Sequence, residues 1–325
     1  MKMEKRLTGL SFSAYEPKIT DASLCGLRLS GVEPQAVRSY YEALLALGVS
    51  SIQIPAEAVT LLAPVIKPER TVLSVPVGVK AVPTGFAGYL CMQEGMPGAA
   101  ITECALEDSP PAFADETRWT ADETLFYEDY ASAFSQLSGD VRGAFCPRGA
   151  GEFGTALAVE WLLAGGCRLT AAFMGTGGYA PLEEVLAALH VYGMLPKPVR
   201  LTELPGVAAA YRRLTKAELP AHKAVIGSAL FDVESGVHVD GVMKNRLCYE
   251  PFAPEAVGAV RRIVIGKHSG RQALKLKLDE LRLHGEYDLD QLLMLVREKS
   301  MCNGGSLDDC AFAALAKKAA AGGVA

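Results

Sequence analysis

Short β-branched runs alternate along the chain with apolar residues at helical spacing, a pattern that predicts an α/β domain with parallel strands. Residues 24–29 are a candidate first strand, and 51–54 and 71–75 read as the next two. Between the first two, residues 34–48 read as a helix. Val37, Tyr41, Leu44 and Leu45 share one face, with Pro34 at the start and Gly48 at the end. The stretch 82–111 is rich in Gly and Pro and holds one strand signal, at 99–104. Thr120, with Glu123 three residues on, is a candidate cap for a helix carrying Phe126, Tyr130, Phe134 and Leu137 on one side. Residues 141–146 and 168–174 read as further strands, followed by helices at 154–164 and 181–192. Beyond about Lys197 the pattern becomes helical, near 207–214, 270–283, 289–300 and 307–321. The last two helices have clear start signals, Asp288 with Gln291 and Ser306 with Asp309. The change of pattern divides the chain into residues 1–197 and 198–325.

Composition adds exclusions. Half of the 325 residues are apolar and 21% are charged, as in an ordinary globular protein. The net charge of −5, with both signs interspersed, argues against nucleic acid or an anionic membrane as partner. The first 17 residues lack the apolar core of a signal peptide, and no run reaches the roughly 18 apolar residues of a membrane span, so a cytoplasmic protein is expected. The eight cysteines form no C-x-x-C pair and no zinc-finger spacing, and are expected to be reduced and mostly buried.

Candidate chemistry is concentrated in one place. Residues 235–271 bring His238, Asp240, Tyr249, Lys267, His268 and Arg271 into 37 positions. An imidazole works as an acid or base near neutral pH, and a tyrosine hydroxyl can hold it or a substrate. Glu234 and Asp240 flank His238 and can fix its tautomer by hydrogen bonding. The plainer reading makes His238 a structural histidine and Tyr249 a packing residue. For residues 267–271, anion binding at a helix start competes with a structural role, in which Ser269 caps the helix and Arg271 pairs with a carboxylate. Gly175-Thr176-Gly177-Gly178 reads as a tight turn, since the rest of a dinucleotide fingerprint is missing. Cys146 reads as a buried thiol, and His190, His222 and His284 have no ligand spacing.

The segments 181–193, 219–241 and 249–274 resemble the region that follows the barrel in the homocitrate synthase and isopropylmalate synthase family. Within that family they are similar to the lid-bearing C-terminal part of the nitrogen-fixation homocitrate synthase. The resemblance implies a TIM-type barrel followed by a mainly helical linker and lid subdomain. It also implies an acyltransferase that condenses acetyl-CoA with a 2-oxo acid held on a divalent metal. The family's lid carries a His in a G-I-H segment and a Tyr eleven residues later, which reach the partner subunit's site. His238 in Gly236-Val237-His238 and Tyr249 match that spacing.

The barrel departs from the family. Its first-strand motif, D-T-T-L-R-D-G, aligns with Asp21-Ala22-Ser23-Leu24-Cys25-Gly26, which puts Gly26 at the metal-binding acid. A shifted alignment recovers Arg28 but puts Leu29 at the acid. Cys146 and Arg148 stand at the two His positions of the seventh strand, and residues 174–180 replace the motif of the eighth. A guanidinium repels a metal cation, so no metal or other cofactor is expected on this chain. Residues 51–54 resemble the family's second strand and 141–146 its seventh. A (β/α)8 barrel of about 250 residues spends about 31 per unit, or roughly 150 between these strands, whereas about 90 are present. The barrel is therefore expected to be degenerate or incomplete, with about two units missing or several much shortened.

Together these readings point to a subunit of a heteromeric homocitrate synthase-type acyltransferase acting on acetyl-CoA and 2-oxoglutarate. His238 and Tyr249 would act in trans, supported by Glu234, Asp240 and Arg271. The partner would be a metal-bearing barrel subunit of the same family, with a homodimer as a further association. A self-sufficient enzyme with altered barrel chemistry and a non-catalytic scaffold remain as alternatives.

Overall fold

The computed structural model describes residues 16–79, 81–106, 108–137, 143–246 and 249–320. The N-terminal residues read for a leader, Cys248 and the start of the 141–146 strand lie outside them. The described residues form two compact units, one up to Ile226 and one from Gly227.

The first unit contains a closed barrel of eight parallel strands. They are β1 (Lys18–Asp21), β2 (Ser51–Pro55), β3 (Thr71–Ser74), β4 (Gly88–Leu90), β5 (Ala100–Ala105), β6 (Glu116–Ala121), β7 (Ala144–Pro147) and β8 (Arg168–Ala171). The last strand closes on the first in the register Lys18↔Arg168 to Asp21↔Ala171, so no sheet edge is left. The barrel is therefore complete in strands, and shortened units, not absent ones, account for the missing length. The second and seventh strands are those assigned from the sequence. Among the described residues β3, β4, β5 and β6 follow one another with no α-helix between them.

Among the described residues six helices accompany the barrel: α1 (Pro34–Leu47), α2 (Ala58–Leu62), α3 (Tyr130–Leu137), α4 (Gly154–Leu163), α5 (Leu182–Val191) and α6 (Leu204–Thr215). In α1, Val37, Tyr40, Tyr41, Leu44 and Leu47 recur every three or four residues and are buried, which is what holds this helix on the barrel. Gly48 ends it at φ 91°, and a Cβ there would sit 2.0 Å from the Pro198 carbonyl oxygen. Phe134 packs edge-on to Phe145 and Trp161 at 4.9 and 5.6 Å, which joins α3, β7 and α4.

The second unit has a two-stranded parallel ribbon, β9 (Asp232–Val233) with β10 (Arg262–Ile263), and helices α7 (Gly236–Lys244), α8 (Arg271–Glu280), α9 (Leu289–Asn303) and α10 (Asp309–Lys318). Leu274, Leu278, Leu292, Val296, Leu307 and Phe312 form its core. Asp288 caps α9 as read from the sequence, accepting from the N–H groups of Asp290 and Gln291.

Several local expectations are corrected. Residues 24–29 are not a strand, because Ser23–Cys25 forms a 3-10 turn and the first strand lies earlier. Thr120 belongs to β6, and Asp122 caps a 3-10 turn over Glu123–Tyr127 that is separate from α3. Gly270, not Ser269, is the N-cap of α8, while the Ser269 hydroxyl accepts from the Gly266 N–H at 3.0 Å. Asp308 replaces Ser306 as the cap of the last helix. Among the described cysteines, all free, Cys91, Cys104 and Cys146 are buried and Cys302 and Cys310 are exposed. No helix among the described residues is long and apolar enough to cross a membrane.

Asp21 ties the barrel seam together. Its carboxylate accepts from the Ser23 N–H and hydroxyl at 3.0 and 2.6 Å and from the Phe173 N–H at 3.1 Å. Complete burial outweighs these bonds and pushes its pKa up to about 6. The folded chain thus holds this proton to a higher pH than the unfolded chain does. Its contribution to stability is fullest below the ordinary carboxylate range and is lost as pH rises from about 4 to about 6. Urea unfolding of wild type and Asp21→Asn across this range should show the wild type losing on the order of 2–3 kcal/mol relative to the variant. A difference that does not change with pH would contradict this assignment.

Candidate functional site

Two places gather polar side chains: the C-terminal mouth of the barrel and a cavity in the second unit. At the barrel mouth, β5 and β6 bring two opposite charges into direct register, Glu103 opposite Arg118. Arg118 is 1% exposed, so its guanidinium must be compensated within the barrel. It donates to the Gln53 side-chain oxygen and lies 3.5 Å from Glu103 Oε1. The Gln53 amide in turn donates to Ser74 Oγ at 2.9 Å and to Cys25 Sγ at 3.5 Å. The other oxygen of Glu103 lies 3.7 Å from Arg148, whose guanidinium sits 5.0 Å above the Tyr179 ring. One carboxylate is thus shared by two guanidinium groups.

This arrangement does not suit a divalent cation. A Cβ at Gly26 would lie 2.8 Å from the Gly177 backbone nitrogen, so that position has no room for a carboxylate. Burial pushes the Cys25 thiol up to about 11 and the Cys146 thiol up to about 12, which keeps both protonated, whereas a metal ligand or nucleophile must be a thiolate. Among the described residues no group of three or more His, Cys, Asp or Glu side chains converges as a metal site would require. Residues 174–180 form a kinked turn with Met174 at φ 61°.

The second unit holds a cavity of about 360 Å³ with apolar walls from Leu230, Phe231, Val242 and Phe252. The acids on its rim are engaged. Glu250 is paired in two places with Arg261, at 2.6 and 2.5 Å, and Asp232 likewise with Arg262, at 2.8 and 2.9 Å. His238, in the first turn of α7, and Tyr249 complete the lining. Their rings meet edge to face, with centroids 5.6 Å apart and planes at 86°. Both are exposed, Tyr249 by 46%.

The residues expected to support them are placed differently. Glu234 accepts from the His268 N–H at 3.0 Å, and Asp240 pairs with Lys244 at 2.7 Å, so both carboxylates are bonded away from the imidazole whose tautomer they were expected to fix. Arg271 pairs with Asp290 through two bonds of 2.7 and 2.8 Å, which fastens α8 to α9. The sequence reading missed Gln53, Glu103 and Arg118, since it assigned no strand to residues 116–121 and so had no register to pair them in. It also missed Gly241, one helical turn beyond His238, where a Cβ would come within 2.3 Å of the Tyr249 hydroxyl. A bare backbone at this point is what lets the phenol lie across the helix.

The fold and these two places define a closed parallel α/β barrel chain with a separate helical unit that presents a histidine–tyrosine pair. Residues 225–300 match the family model described as homocitrate synthase post-HMGL domain-like. The chain is 34% identical over 188 residues to the homocitrate synthase omega subunit of Clostridium pasteurianum, covering 55% of this chain and 50% of that protein. It is 36% identical over 171 residues to a homocitrate synthase of Frankia alni, covering 50% and 48%. It is 41% identical over 134 residues to an (R)-citramalate synthase of Methanocaldococcus jannaschii, covering 41% and 27%. The chain thus spans half or less of the length of these relatives. Among solved structures, a Bacillus subtilis HMG-CoA lyase aligns with a TM-score of 0.47 at 12% identity, over 64% of this chain and 97% of that one. The chain is similar to members of the homocitrate and isopropylmalate synthase family, and residues 225–300 carry the family-model match.

The packing of Tyr249 over Gly241 can be tested directly. Gly241→Ala should leave stability unchanged or raise it by up to about 1 kcal/mol through helix propensity, while displacing the phenol. The His238 ring protons, shifted by the edge-on Tyr249, should then move in NMR spectra toward their positions in Tyr249→Ala. Unmoved His238 resonances would show that Gly241 does not set this contact.

Proposed function

We propose that this chain is a subunit of a homocitrate synthase-type acyltransferase and that it contributes His238 and Tyr249 to an active site whose barrel floor belongs to a partner subunit. One observation carries the reading. The exposed His238–Tyr249 pair lines a cavity within the family-matched stretch, while this chain's own barrel mouth is occupied by the Arg118–Glu103 pair. Similarity to the omega subunit of the Clostridium pasteurianum homocitrate synthase supports a multi-subunit arrangement.

In this reading acetyl-CoA condenses with 2-oxoglutarate. The His238 imidazole takes a proton from the acetyl methyl group. The resulting carbon nucleophile bonds to the keto carbon, and the new alkoxide takes the proton back. Water then cleaves the thioester and releases the CoA thiol. Tyr249 holds the imidazole edge-on and offers its hydroxyl to the substrate. The divalent cation that this chemistry uses to polarise the keto group would be held by the partner. Glu234, Asp240 and Arg271 support the pair indirectly, by fixing the segments on either side of it.

The test is co-expression with a barrel subunit that retains the metal-binding residues, followed by an assay of CoA thiol release. The isolated chain should be inactive and the complex active. In the complex His238→Ala should lower kcat by about 10²–10⁴-fold, the usual worth of a positioned acid or base. Tyr249→Phe should lower it by roughly tenfold, as expected for one lost hydrogen bond. A fully active His238→Ala complex would refute the assignment.

A further inference from the structure

A second cavity, of about 570 Å³, lies in the barrel unit between the loop that leads from the first 3-10 turn into α1 and the last turn of α6. Arg28, Arg213 and Lys216 line it, with Glu33 as the only acid among the lining residues. Three cations against one carboxylate leave a net charge of +2. None of the three cations has a carboxylate partner among the described residues, although neighbouring Arg212 is paired with Glu218 at 2.9 Å. The two helix ends at the cavity offset each other, since α1 begins there and α6 ends there, so the side chains supply the field. Lys216 also stands at φ 59°, in the left-handed position after α6 that favours glycine. An ammonium group thus stands at a place where the backbone by itself favours glycine.

We propose that this cavity binds the phosphate or diphosphate group of a small-molecule ligand. Two guanidinium groups offer paired N–H donors that match phosphate oxygens, and the ammonium adds a mobile third contact. The volume exceeds a single phosphate and falls in the range of small-molecule sites, which points to a phosphorylated ligand of nucleotide size. The site uses none of the residues assigned to the acyltransferase role and lies in the other unit, so either proposal can fail without the other.

Calorimetric titration of the full chain with inorganic pyrophosphate, ADP and adenosine tests it. Pyrophosphate and ADP should bind with one-to-one stoichiometry, more weakly as salt rises, and adenosine should not bind. The double variant Arg28→Gln/Arg213→Gln should weaken pyrophosphate at least tenfold. Lys216→Gly should weaken it several-fold while raising Tm, because glycine relieves the left-handed backbone. Absence of pyrophosphate binding, equal affinity in the double variant, or binding of adenosine as tight as that of ADP would overturn the proposal.

Discussion

Compensation of the buried Arg118 guanidinium is the constraint on which the barrel depends. A cation at 1% exposure persists only if its surroundings return what it loses on leaving water, and removing one partner of such a buried pair typically costs about 3–5 kcal/mol. Here Gln53 and Glu103 meet it from β2 and β5, and Ser74 and Cys25 extend the contacts around the mouth. Glu103 is committed twice, to Arg118 and to Arg148. A divalent cation entering this mouth would face two guanidinium groups and would find its one nearby carboxylate already shared. The same contacts that stabilise the closed barrel therefore fit a divalent cation poorly.

In the second unit the charges are arranged to the opposite effect. Arg261 and Arg262 neutralise Glu250 and Asp232 on the rim of the cavity, Lys244 takes Asp240, and the His268 N–H takes Glu234. Among the described residues the opening is left with an imidazole and a phenol held edge to face, the phenol over a glycine. An exposed histidine whose neighbouring carboxylates are bonded to other groups can meet a group that arrives from outside. That is the physical content of assigning it to a shared site.

Much of this was legible in the chain where periodicity was strong. Helix α1 and the C-terminal helices followed from their apolar faces and end signals, and the spacing of His238 and Tyr249 marked the pair that the cavity brings together. The strands β1, β4 and β6 were not legible. Gly88–Leu90 is too short to show alternation, and Lys18–Asp21 carries so much polar character that the leucines after it drew the assignment away. The length argument detected missing residues and left open whether whole units or parts of several were lost. The helices between β3 and β6 are what the described chain lacks, because eight strands must remain for the sheet to close. The Glu103–Arg118 pair went unnoticed because register between strands is a tertiary fact, visible only once β5 is known to lie beside β6.

The proposal that this arginine-filled barrel mouth holds no divalent cation is most directly tested by titrating the purified full chain with Mn²⁺ and Mg²⁺ and measuring bound metal after exchange into metal-free buffer. The account predicts no stoichiometric binding to the wild type. Retention of one divalent ion per chain, lost on Glu103→Gln, would contradict it.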